Sequence, residues 1–114
     1  MKKTILLTAL LAISLNALAC DAKKLSQIEW RDCEIVKSQK EQDFIFEQVY
    51  LKLLVLSDQM PADAFKKAQD DWEKFKRSSC YFALVLNNPD EQMGCLIAFN
   101  KSRAKSLKAL LKSL

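Results

Sequence analysis

The chain has 114 residues, eighteen of them basic and fourteen acidic, a formal charge of +4 and no histidine. Without imidazole, Ser-His and Cys-His nucleophile systems are excluded, and the single glycine, Gly94, excludes a glycine-rich phosphate loop. One glycine and two prolines, Pro61 and Pro89, also argue against a turn-rich β fold and for a small all-α domain of long helices with short connections.

The first nineteen residues have the three parts of a secretory signal. Lys2 and Lys3 form the positive start, Ile5 to Leu15 an apolar run broken only by Thr8 and Ser14, and Ala17-Leu18-Ala19 a small-x-small cleavage pattern. The expectation is a signal peptide over 1–19 and one domain over 20–114. Cleavage there makes Cys20 the first residue of an exported, periplasmic or secreted protein. A lipid anchor on Cys20 is the alternative, although it would strand one thiol of an otherwise even set of four. Without Lys2 and Lys3 there remain sixteen basic and fourteen acidic residues, a net of +2.

Ser26-Gln27-Ile28-Glu29 is a capping box, and it predicts a first helix over about 27–57. Ile28, Ile35, Gln42, Val49 and Leu56 recur every seven residues, with Phe46 and Leu53 beside them, so this stripe is expected to face a partner helix. After the link Ser57-Asp58-Gln59-Met60, Pro61 suits the first turn of a second helix. Its expected core stripe is Phe65, Ala68, Trp72, Phe75, Ser79, Phe82 and Leu86. Asn87-Asn88 then turns the chain, with Asn88 as N-cap and Pro89 as first residue of a third helix. Leu96, Phe99, Arg103, Leu107, Leu110, Leu111 and Leu114 form its apolar face. The predicted fold is a three-helix antiparallel bundle with two disulfides.

Cys80 and Cys95 stand at equal distances from the Asn87-Asn88 turn, so an antiparallel hairpin brings them to one height, and a bond there closes a loop worth roughly 3 kcal/mol. Cys20 and Cys33 are left to join the N-terminal tail to the first helix. Four cysteines allow three connectivities, and this is the one chosen here. A zinc site is disfavoured, since no histidine and no C-x₂₋₄-C pair is present. Asp70-Asp71 reads as solvated charge rather than as a working carboxylate pair, because helix neighbours point apart.

Beyond residue 92 come Lys101, Arg103, Lys105, Lys108 and Lys112 with no acid at all. Such a cationic helix can meet an anionic membrane surface or nucleic acid, or be a solvated face whose leucines pack inward; the last is the expectation, with no nucleic acid as partner. Trp72 and Phe75 are expected in the core. Asp43, Tyr50 and Arg103, polar groups near apolar stripes, are expected to cluster between the first and third helices.

Taken in order, these features resemble the LprI-type lysozyme-inhibitor domain. Cys20 and Ser26-Gln27-Ile28-Glu29 to Cys33 are similar to its opening, and Asp43, Glu47 and Tyr50 to its D-x-x-L-N-x-x-Y stretch. Ala68-Gln69, Trp72, Phe75 and Cys80 resemble its A-Q-x-x-W-x-x-Y-R-x-x-x-C signature, and Cys95-Leu96, Arg103 and Leu107 its closing C-L-x₆-R-x₃-L. Lys76 stands where that family usually has arginine, Arg77 where an acid is common, and Asn100 where it usually has threonine. The short segment between Cys80 and Cys95 lacks the Gly-Gly-Ser that members often carry. The resemblance implies an exported protein that binds rather than catalyses, without cofactor or metal, and names a lysozyme-type muramidase as partner. It makes Asp43, Tyr50, Gln69, Trp72 and Arg103 signature positions of structural role. An inhibitor must offer donors to the two carboxylates of a muramidase cleft, and Lys76, Arg77 and Lys101 are the candidates. The alternative is a structural or stress-related envelope module that contacts a membrane surface or another envelope protein.

Overall fold

A computed structural model describes residues 19–57 and 59–114, and both the signal-peptide reading of 1–18 and Asp58 of the first link lie outside them. Three helices follow in order: α1, Gln27–Leu56; α2, Gln59–Leu86; and α3, Pro89–Ser113. No strand occurs among the described residues. α1 starts where its capping box requires. The Ser26 hydroxyl accepts from the Glu29 N–H at 3.2 Å and the Glu29 carboxylate accepts from the Ser26 N–H at 3.3 Å. α3 starts on the Asn88 side chain, which accepts from the Glu91 N–H at 3.0 Å, with Pro89 in the first turn. α2 begins at Gln59, two residues before Pro61.

Both disulfides of the chosen connectivity are present, Cys20–Cys33 with Cα atoms 5.8 Å apart and Cys80–Cys95 with 5.5 Å. The second joins α2 to α3 across their hairpin, with Cys80 fully buried. Because α2 reverses the chain, α1 and α3 run parallel. Glu34 meets Lys101 at 3.7 Å and Glu41 meets Lys108 at 2.8 Å, a constant offset along the two helices.

The apolar core is small: Ile45 of α1 with Ala104 and Leu107 of α3, flanked by Phe44, Phe46 and Phe65. Phe46 stacks on Phe65 at 5.0 Å between ring centres, which ties α1 to α2. Val49, Ala62 and Cys80 are buried beside it, and the other buried residues are polar. Glu34, Ser38, Gln42, Gln69, Lys76 and Asn100 are all buried.

Two expectations need correcting. In α1 the seven-residue stripe is right at its centre, where Gln42 and Val49 are buried, but Ile28 and Leu56 at its ends are exposed. In α2 the buried face is Ala62, Gln69, Lys76 and Cys80, not the apolar stripe. Phe75, Phe82 and Leu86 of that stripe are exposed, Ala68 faces solvent, and Phe65, Trp72 and Ser79 are half-buried. Phe75 is therefore not core; it meets the edge of Phe99 at 5.9 Å from outside. The cause is the lysine: burying its ammonium among partners from three helices turns α2 so that Gln69 and Lys76 point inward.

Candidate functional site

Ser38, Gln39 and Gln42 stand within about one turn of α1, Gln69, Glu73 and Lys76 on successive turns of α2, and Asn100 and Arg103 on one turn of α3. Lys76, only 3% exposed, gives its ammonium to three oxygens. These are Gln39 Oε1 at 2.6 Å, Glu73 Oε2 at 2.7 Å and Asn100 Oδ1 at 2.8 Å. A protonated amine has three donors, so its capacity is matched. Asn100 passes the chain on, donating from Nδ2 to the Ser38 hydroxyl at 3.1 Å, which donates to the Ile35 carbonyl. The other Glu73 oxygen accepts from Gln42 Nε2 at 2.7 Å and from Gln39 Nε2 at 3.0 Å. Burial alone would raise the Glu73 carboxyl. The hydrogen bonds from Lys76, Gln39 and Gln42, with the lysine charge, outweigh it and hold the group below the usual carboxylate range.

Trp72 lies beside this network, between two cations. The Lys76 ammonium is 5.1 Å and the Arg103 guanidinium 5.4 Å from its ring centre. Arg103 donates from Nε to buried Gln69 Oε1 at 2.9 Å, and its burial lowers its pKa while the Glu73 charge opposes that fall. Gln69, Trp72 and Arg103 thus form one unit between α2 and α3. The expected Asp43, Tyr50 and Arg103 cluster does not form. Asp43 is exposed and accepts from Gln39 at 2.9 Å, while Tyr50 meets Gln59 at 3.5 Å and stacks on Phe46. Asp43 thus bonds within α1, Tyr50 serves the α1–α2 contact, and Arg103 serves the α2–α3 contact.

The three candidate contact residues part company. Lys76 is inside, its donors used, so it is no surface donor. Arg77 is exposed and lines a groove between α1 and α2 with Gln39, Asp43, Phe46, Gln69, Asp70, Glu73 and Lys74. It has no ion-pair partner among the described residues. Lys101 is also exposed but lies in the groove between α1 and α3, beside Glu34, Lys37 and Glu41. Arg77 and Lys101 therefore flank α1 on opposite sides.

Sequence reasoning missed Ser38, Gln39, Glu73 and Asn100. A signal existed: Ala62, Gln69 and Lys76 repeat every seven residues, in step with a buried face, while the apolar stripe diverted attention from them. Gln42 already stood in the expected stripe of α1. Lys76 and Asn100, two positions where the chain departs from the pattern it resembles, are bonded to each other at 2.8 Å.

The α1–α2 groove can bind: three carboxylates, two uncommitted cations and the Phe46 ring share it. Within it Glu73 is held anionic, and the Lys76 ammonium beside it has its donors used. Among the described residues no group of three or more His, Cys, Asp or Glu could hold a metal ion. No described helix is long and apolar enough to cross a membrane. The family model described as lysozyme inhibitor LprI matches residues 20–107. No curated protein and no solved structure matches the chain.

Proposed function

The chain belongs to the LprI lysozyme-inhibitor family, and from that premise we propose that it is an exported binding protein that blocks a lysozyme-type muramidase through the groove between α1 and α2. Two disulfides and the family support a place outside the cytoplasm. The signal-like segment over 1–19 supplies the route. Catalysis plays no part in this reading.

The observation that carries the choice of groove is the Arg77 guanidinium, exposed and uncommitted on its rim. A muramidase cleft holds two carboxylates, and a planar guanidinium can engage a carboxylate with two parallel bonds. Lys74 stands one turn earlier as a second donor. Asp43, Asp70 and Glu73 give the same groove an acidic floor, which complements a basic muramidase surface around the cleft even though the whole domain is weakly cationic.

The test is a cell-wall lysis assay titrated with the oxidised, exported protein, against a reduced and heat-denatured control. Inhibition is expected to weaken about tenfold or more in Arg77→Glu, since a repelled charge replaces a bidentate pair. No inhibition by the parent protein at about tenfold molar excess removes the reading. Full inhibition by Arg77→Glu leaves the activity and removes this groove.

A further inference from the structure

The face opposite the inhibitory groove has a different character. Lys101, Lys105, Lys108 and Lys112 line the groove that α3 forms with α1. The side chains of Lys101 and Lys108 remain more than half exposed although each meets one carboxylate, Glu34 and Glu41. Both pairs are surface pairs and neutralise little at ordinary salt. Lys105 and Lys112 are exposed and have no ion-pair partner among the described residues.

The flank of α1 bordering this row continues past the end of α3. Glu34 pairs with Lys101 and Glu41 with Lys108, so Ser113, the last residue of α3, lies level with about residue 46 of α1, and α1 runs on for roughly 15 Å at 1.5 Å per residue. Glu34, Glu41, Gln48 and Val55 follow at seven-residue steps on that flank. Val55 is 84% exposed and Leu51, one turn earlier, 51%. Four lysines therefore lead directly to an unpartnered apolar tip.

We propose that this face docks the domain on an anionic phospholipid surface, with the lysine row on the headgroup phosphates and Leu51 and Val55 entering the acyl boundary. Charge selects the occupant's sign, and the apolar tip selects a bilayer over a soluble polyanion, which would leave Leu51 and Val55 in water. The groove between α1 and α2 stays free on the other flank of α1, so docking and muramidase binding are compatible. The proposal does not depend on the inhibitory reading.

Vesicle flotation of the exported, oxidised protein tests it. Binding is expected to vesicles with about 30% anionic phospholipid, at least tenfold weaker to neutral vesicles, and at least tenfold weaker when salt is raised from about 50 to about 500 mM. Changing Lys101, Lys105, Lys108 and Lys112 to Gln should abolish it. The exposed pair Leu51→Ser and Val55→Ser, which leaves the core untouched, should weaken it severalfold with the far-ultraviolet spectrum unchanged. Equal binding to neutral vesicles, binding that survives the four Lys→Gln changes, indifference to the Leu51 and Val55 changes, or binding to single-stranded DNA without vesicle binding would each overturn it.

Discussion

Two layers of the interior, seven residues apart along α1 and α3 and so separated by about 10 Å, are built on different physics. In one, Ile45, Ala104 and Leu107 meet as plain apolar surface. In the other, Ser38, Lys76 and Asn100 meet through directed bonds of 2.8 and 3.1 Å. Apolar contact favours burial but tolerates sliding, because it has no preferred direction. The polar layer tolerates none: a shift of any helix leaves Lys76 without one of its three acceptors. The apolar layer thus supplies stability and the polar layer fixes the rotation of α2, at the cost of leaving Phe75, Phe82 and Leu86 outside.

The largest effect should come from the apolar layer. Leu107 is 1% exposed, and Leu107→Ala should lower unfolding free energy by about 3–4 kcal/mol from lost transfer and a residual cavity, read by urea denaturation with an unchanged slope. Lys76→Met fills the same space without charge and should cost about 2–3 kcal/mol, because Glu73, Gln39 Oε1 and Asn100 Oδ1 lose their common donor. That lies near the lower end for a broken buried pair, since Glu73 keeps two glutamine donors and some contact with water. A neutral Lys76→Met would break the comparison: the polar layer would then be a passenger on apolar packing.

The same contrast explains what was legible in the sequence. Helix starts were readable from Ser26 and Asn88 because a cap is a contact over three residues. The Cys80–Cys95 bond was readable because hairpin symmetry is local to one turn. The inward face of α2 was not. A helix read alone offers Trp72, Phe75, Phe82 and Leu86 as its interior, and only partners 24 and 37 residues distant from Lys76, Asn100 and Gln39, make the lysine the better inward residue. The candidate site followed the same rule. The signature positions Gln69, Trp72 and Arg103 do meet, whereas Asp43 bonds within α1 and Tyr50 serves the α1–α2 contact. Lys76, chosen as an exposed donor, lies at the centre of the core. Charge in a sequence says which groups need partners, but not which side of the helix provides them.

A smaller effect is expected from acid. Glu73 has a folded pKa below its ordinary value of 4.5. Its contribution is therefore complete above the unfolded value and is lost as pH falls through the folded one. Lowering pH from about 6 to about 3 should cost the parent protein more stability than Glu73→Gln, which has no such carboxyl to protonate. Equal acid sensitivity in the two proteins would assign the loss to other carboxylates and detach Glu73 from the polar layer's energetics.

The smallest effect is expected at Gln42, where the two layers' principles oppose each other within one side chain. Gln42 is fully buried, its Nε2 donates to Glu73 at 2.7 Å, and its Oε1 has no hydrogen-bond partner. Gln42→Met removes a bond to a charged acceptor, worth about 1.5–3 kcal/mol, and also removes a buried unsatisfied carbonyl that costs about 1–3 kcal/mol. The two nearly cancel, so the unfolding free energy should move by less than about 1 kcal/mol although a core residue of full burial has been replaced. A loss above about 2 kcal/mol would mean that Oε1 is satisfied in solution by an internal water, which needs further polar neighbours and room. The polar layer would then be a hydrated seam rather than a closed set of side-chain bonds, and Lys76 would have an alternative donor path to solvent.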